Sequence, residues 1–153
     1  MKKIIICEDA ETIRPVVKAW IRECNAADFD IVIEVDEFMK DFHAMVRNEW
    51  CRLFVLVNEG DPVGFIGVVI QILPFNLQRM ANEHYWYILP EHRGIGSLRL
   101  IAAATDWAKQ MGCHSIMATA SNMASDLHDK TCELYEIIGM KRFETTYIHR
   151  IGV

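Results

Sequence analysis

The sequence predicts a mixed α/β fold, and three observations carry that reading. Runs of β-branched and aromatic residues alternate with stretches whose apolar side chains recur at helical spacing. Glycines and polar turn residues punctuate those runs at short intervals, with no repeat, low-complexity tract or linker between them. The balance of 52% hydrophobic and 24% charged residues over 153 positions suits one globular domain, 1–153, large enough to bury a core.

Residues 3–7 are a short β-branched run and the first strand. Asp9 and Thr12 supply helix-start chemistry, and Pro15 fits only a first turn. Ile13, Val16, Val17, Trp20 and Cys24 then mark one face of a helix over 11–24. After a loop over 25–34, Val35, Phe38, Phe42, Met45 and Val46 repeat the pattern and predict a second helix over 35–48. Residues 53–57 and 63–72 are strands joined by Asn58-Glu59-Gly60-Asp61, a β-hairpin whose second arm carries Gly64 and Gly67. Residues 73–82 contain Pro74 and Asn76 and read as a connecting loop, unusually apolar for its type. Its Phe75, Leu77 and Met80 either line a site or a contact between copies, or fold onto the loop's own core.

Residues 84–89 are the next strand. Leu98, Ile101, Ala104, Ala108 and Met111 share a face of the third helix, which Gly112 ends. A strand over 115–120, a helix over 126–138 stopped by Gly139, and a strand over 143–151 complete the chain. The order is β-α-α-β-β-β-α-β-α-β, a sheet with about four helices on its faces.

A formal net charge of −5 argues against a nucleic-acid partner, which usually meets a basic stripe. The five cysteines are scattered without CxxC or Cys/His ligand spacing, which fits reduced thiols in a cytoplasmic protein and neither a disulfide frame nor a metal site. No apolar run approaches the ~20 residues that span a bilayer, so no membrane partner is expected.

The most informative stretch runs His84-Tyr85-Trp86-Tyr87-Ile88-Leu89-Pro90-Glu91-His92-Arg93-Gly94-Ile95-Gly96-Ser97. An aromatic strand passes through Gly-x-Gly into a helix start. Such a turn presents unpaired backbone N–H groups at the positive end of a helix dipole, a natural seat for phosphate.

That stretch, from Tyr87 to Leu98, resembles the strand and pyrophosphate loop of the GNAT superfamily of acyl-CoA-dependent N-acetyltransferases, usually written Q/R-x-x-G-x-G/A. Glu133-Leu134-Tyr135-Glu136-Ile137-Ile138-Gly139-Met140 is similar to the family's Leu-Tyr-x-x-x-Gly-Phe, and Pro62-Val63-Gly64-Phe65-Ile66-Gly67 to its central hairpin. The three matches stand in family order and cover essentially the whole chain. Two departures stand out. Alignment on the glycines puts Glu91 where the family has Gln or Arg, whereas alignment on Pro90 and Arg93 keeps a cation there and leaves the loop one or two residues short. His128 and Thr131 replace the Asn and Ala that often precede the family's tyrosine.

The resemblance implies a GNAT-like, mostly antiparallel sheet and transfer of an acetyl group from acetyl-CoA to a primary amine of a small molecule or peptide. It implies a coenzyme site at Arg93, Gly94, Ile95, Gly96 and Ser97, with the backbone of Ile88 and Leu89 meeting the pantetheine amides. It gives Tyr135 the role of acid toward the leaving thiolate, although an inward helix face suits a core tyrosine equally. The base is Glu83, its neighbour His84, or water alone; strand alternation sends Glu83 and His84 to opposite faces. Tyr85, Trp86 and Tyr87 are sheet core or an aromatic wall for an ammonium or apolar acceptor. Family members often pair, which makes a homodimer an expectation. A non-catalytic acyl-CoA-binding module, or a nucleotide-binding domain unrelated to CoA, remain the competing readings.

Overall fold

A computed structural model describes residues 1–152. Strands β1 (Lys2–Ile6), β2 (Cys51–Asn58), β3 (Asp61–Ile72) and β4 (Arg79–Ile88) pair antiparallel in chain order, and β5 (Ser115–Met117) joins β4 in parallel. Helices α1 (Arg14–Glu23) and α2 (Val35–Arg47) cover one face, and α3 (Ile95–Gln110) covers the other. Helix α4 (His128–Ile137) follows β5 and has one buried residue, Tyr135.

Local chemistry sets the helix ends. Asp9 caps a short 3-10 turn by accepting the Glu11 N–H at 3.0 Å, and Pro15 then sits in the first turn of α1, where its missing N–H costs nothing. Helix α2 carries Asp36 and Glu37 in its first turn and Arg47 in its last, in keeping with the helix dipole. Gly94 precedes α3 with φ 111°, a backbone conformation that a side chain would strain.

The sheet separates two cores. Trp20, Phe42, Met45, Val55 and Phe65 fill the side under α1 and α2. Phe54, Leu56, Ile66, Val68, Leu100 and Trp107 fill the side under α3. Pairing shifts between Gly67 and Val68: Gly67 lies opposite Tyr85 and Val68 opposite Glu83, so His84 is the extra residue of a bulge. The bulge reverses side-chain parity. Ala81 and Glu83 before it, and Trp86 and Ile88 after it, all face α3, while Tyr85 and Tyr87 face α1 and α2.

The observed elements differ from the expected ones at three places. Strand β4 begins at Arg79 rather than 84, because the ladder with β3 extends to Ile72, past the polar Asn82 and the bulge that break its alternation. The connection is therefore residues 73–78, and it stands away from the core: Phe75 is 74% and Leu77 75% exposed. The strand over 115–120 stops at Met117, since only Met80, Ala81 and Asn82 pair with it. The strand expected over 143–151 does not form, and those residues are exposed and without regular structure. A strand depends on a ladder partner more than on its own propensity, and the three-residue β5 gives it none.

Gly64 is a packing requirement. A Cβ there would lie 2.7 Å from Ile88 Cγ1 and 3.0 Å from the Tyr87 carbonyl oxygen, which belongs to the adjoining backbone and cannot rotate away. Gly64→Ala should lower the unfolding free energy by about 1–3 kcal/mol, measured by chemical denaturation; an unchanged midpoint would show that β4 yields freely.

Candidate active site

Strands β4 and β5 stay paired through Asn82 and Met117 and then part. Where they part, Glu83 Oε2 accepts the N–H of Thr119 at 3.0 Å. The Tyr135 hydroxyl donates to the carbonyl of the same Thr119 at 3.1 Å, and its ring stacks on Trp86 with centroids 6.0 Å apart. Two of the sequence-predicted residues thus meet at one residue's backbone, from β4 and from α4. Both are buried, Glu83 at 7% and Tyr135 at 8% exposure. His84, the extra residue of the bulge, is exposed and also borders the cleft.

Burial disfavours the charged form of each group. It pushes the Glu83 carboxyl from 4.5 up to about 7, against the opposing pull of the Thr119 N–H. It also holds the Tyr135 phenol well above the usual tyrosine range, with the Glu83 charge adding to the effect. At neutral pH the site therefore pairs a carboxyl near its midpoint with a phenol that keeps its proton, a base and an acid within one cleft.

The turn before α3 is held from two directions. The Arg93 Nη2 contacts both carboxylate oxygens of Glu23 at 2.7 and 2.8 Å, and its Nε donates to the Ile88 carbonyl at 2.9 Å. Tyr87 donates its hydroxyl to the same Glu23 at 2.6 Å, and Lys2 Nζ reaches the His92 carbonyl at 3.1 Å. Arg93 therefore clasps the end of β4 to the end of α1, where the sequence suggested a free cation. Glu91 stands exposed in a 3-10 turn over Pro90–His92.

The turn's amides divide. The Ser97 N–H is taken by the Gly94 carbonyl at 2.9 Å, and the Arg93 N–H makes a long contact of 3.4 Å to Pro90. Those of Gly94, Ile95 and Gly96 have no partner among the described residues. A Cβ on Gly96 would lie 2.8 Å from Leu56 Cδ2, so the buried Leu56 side chain would have to shift. On the strand, the Leu89 N–H turns inward to the Val63 carbonyl at 2.9 Å, so ladder alternation aims the N–H and C=O of Ile88 at the open edge.

A cleft of about 580 Å³ runs through the opening from Ser97 and Ile88, past Glu83 and Tyr135, to Trp20, Phe38 and Tyr85. Its outer wall is the segment after β5, pinned by Asn25: the backbone N–H meets the Met123 carbonyl at 2.7 Å and Nδ2 meets Asp126 at 2.8 Å. The cleft thus joins a buried carboxyl and phenol, and its Ser97 end adjoins the helix start with the unpartnered amides. No group of three or more His, Cys, Asp or Glu side chains placed to hold a metal occurs among the described residues.

A sequence model of the acetyltransferase (GNAT) family matches residues 16–140. The chain belongs to that family. It is an acyltransferase, and the fold agrees with solved GNAT structures over nearly the full chain. Aminoglycoside N-acetyltransferase AAC(6')-Iy, solved with a bisubstrate analogue CoA-S-monomethyl-acetylneamine, superposes with a TM-score of 0.78 at 17% identity, covering 100% of this chain and 99% of that one. Ribosomal-protein-alanine N-acetyltransferase from Brucella melitensis biovar Abortus 2308 gives 0.73 at 18% identity, covering 99% and 100%. An acetyltransferase from Trypanosoma brucei gives 0.72 at 15% identity, covering 99% and 100%. No match is found among curated protein sequences.

Sequence reasoning missed three parts of this GNAT site. Glu23 looks like any acid on a solvent-facing helix edge, and only its opposition to Arg93 and Tyr87 gives it a role. Thr119 acts through its backbone, which carries no residue-type signal. Asn25 read as loop, although an Asn just past a helix is a common hydrogen-bonding hinge.

The raised Glu83 pKa has a signed consequence for stability. Between pH 4.5 and about 7 the folded chain holds a proton that the unfolded chain has lost, so stability falls as pH rises through that window and levels off above it. Glu83→Gln removes this titration while keeping an acceptor for Thr119. The variant's stability relative to wild type should improve by roughly 3 kcal/mol between pH 4 and pH 8, read from denaturation midpoints. A pH-independent difference would place the carboxyl near its ordinary value.

Proposed function

We propose that residues 1–153 act as one unit that transfers an acetyl group from acetyl-CoA to a primary amine by direct attack. The convergence of Glu83 and Tyr135 on Thr119, where the strands part, carries this reading. The three unpartnered amides of Gly94, Ile95 and Gly96 suit the coenzyme's pyrophosphate, and Ile88 offers its N–H to the pantetheine arm. Arg93 supports the site by fixing that strand end, and the Ser97 amide belongs to the first helical turn. As a thioester donor, acetyl-CoA supplies an activated acyl carbon.

The acceptor nitrogen attacks that carbon, the C–S bond breaks, and the thiolate takes the phenolic proton from Tyr135. Glu83 removes the proton that the nitrogen sheds, directly or through a water. The phenol's burial keeps its proton in place until a thiolate, a stronger base in a dry site than the Thr119 carbonyl, competes for it.

With Glu83 as base, kcat/KM should rise with pH through an apparent pKa near 7, ahead of any rise from deprotonation of the free amine. Glu83→Gln should abolish that limb and lower kcat/KM by about 10²-fold. Tyr135→Phe keeps the stack on Trp86 and should lower kcat with little change in coenzyme affinity. Release of CoA followed by a thiol reagent measures both, and an unaltered pH profile in Glu83→Gln would remove the carboxyl from the chemistry.

We also place the protein in the cytoplasm as a homodimer. All five cysteines stand free, which suits a reducing compartment. Phe143, Tyr147, Ile148 and Ile151 are exposed on a segment without regular structure, a surface that a second copy can cover. Light scattering should return twice the chain mass, falling to one chain mass when residues 141–153 are deleted; a monomer before deletion contradicts the assignment.

A further inference from the structure

The cleft has two chemically different ends, and the second identifies the acceptor. On the α3 side lie Ile88, Ser97, Leu134 and Tyr135, next to the turn whose free amides the acetyl-transfer reading assigns to the coenzyme. On the α1 and α2 side the opening meets Trp20, Phe38, Tyr85 and Tyr87, with Met123 opposite. Trp20 and Phe38 stand 5.3 Å apart by ring centroids, and Phe38 meets Tyr85 edge-on at 5.0 Å. Phe42 and Phe65 back this wall and are fully buried, whereas Phe38 and Tyr85 are partly open to the cleft.

The wall is rigid. Tyr85 donates its hydroxyl to Asp41 and Tyr87 to Glu23, each at 2.6 Å, so neither ring needs ordering when a ligand arrives. The same bonds engage the two carboxylates nearest the wall, and Glu23 is further matched by Arg93. The rest of the charged lining is Glu83 and Glu144 with Lys130, Arg93 being already matched to Glu23. An acceptor with several ammonium groups seated against the rings would lose hydration there and meet only carboxylates already engaged by Tyr85, Tyr87 and Arg93. One amine attached to an apolar or aromatic body meets no such cost. Its body gains contact with the rings, and its single nitrogen can sit over an aromatic face on the way to Glu83.

We propose that the acceptor is a small monoamine bearing an aromatic or apolar group, seated against Trp20, Phe38 and Tyr85 with its nitrogen directed to Glu83. This rests on the acetyl-transfer reading, and the test separates the two. The wild-type protein is assayed for CoA release with 2-phenylethylamine, spermidine, an aminoglycoside and a short peptide with an alanine N terminus. Binding of 2-phenylethylamine to the CoA-loaded protein is measured in parallel by calorimetry. The expected result is the highest kcat/KM for 2-phenylethylamine, with Phe38→Ala raising its KM about tenfold or more and leaving the KM for acetyl-CoA unchanged.

Phe38→Leu, which keeps apolar volume and is the milder change for folding, should lie between the two. A higher kcat/KM for spermidine, the aminoglycoside or the peptide overturns the acceptor assignment and leaves acetyl transfer standing. Phe38-dependent binding of 2-phenylethylamine without turnover of any amine supports the wall and overturns the transfer reading. Absence of both binding and turnover overturns the acceptor assignment outright.

Discussion

The site depends on one discontinuity, the point where β4 and β5 stop pairing after Asn82 and Met117. Separating two strands inside a protein leaves backbone groups without partners, and each such group is costly if buried. Thr119, itself exposed, lies just past that point with both backbone groups free of a strand partner. Glu83 takes its N–H and Tyr135 donates to its carbonyl, so the two side chains substitute for a missing strand at that residue. The groups that meet the unpaired backbone there are the two proposed to carry the proton transfers.

A second constraint fixes where the opening ends. Arg93 joins Glu23 of α1, the Ile88 carbonyl of β4 and the face of the Tyr87 ring, its guanidinium carbon 5.6 Å from the ring centroid. Both partners of the Arg93–Glu23 pair are 28% exposed. Partial burial, with the additional hydrogen bonds to Ile88 and Tyr87, makes it stronger than an exposed surface pair. The clasp spends the cation that sequence reading offered to a phosphate. In return it holds the strand end and the turn, leaving three amides and the α3 dipole as the positive surface.

The chain's local features were legible because their causes are local. Gly-x-Gly after an aromatic strand, Pro15 in a first turn and the helical spacing of Val35 to Val46 are each set within a few residues. Tyr135 and Glu83 were found as residue types, but their meeting point was not, since a carbonyl and an amide at Thr119 leave no trace in composition. The bulge at His84 was hidden for a different reason. Nothing in β4 marks it, and its one sign lies across the ladder at Gly67, where a Cβ would come within 2.8 Å of Met45. The last strand failed for want of a partner: residues 143–151 have strand propensity, but pairing is a property of two segments and β5 is three residues long.

That bulge also decides how the two ends of the cleft communicate. Without the extra residue at His84, a strand carrying Trp86 and Ile88 toward α3 would turn Glu83 toward α1 and α2, away from Tyr135. With it, Glu83 shares a face with Trp86, and the stack of Trp86 on Tyr135 brings α4 to the same spot. Tyr85 and Tyr87 remain on the opposite face with the aromatic wall. Glu83 therefore stands on the α3 side of the sheet, and an amine seated on the rings as proposed would reach it through the gap between the strands. A nitrogen that extends beyond its apolar body suits that passage. The selectivity inferred from the wall's charge is thus reinforced by the path, and both trace to one unpaired residue in β4.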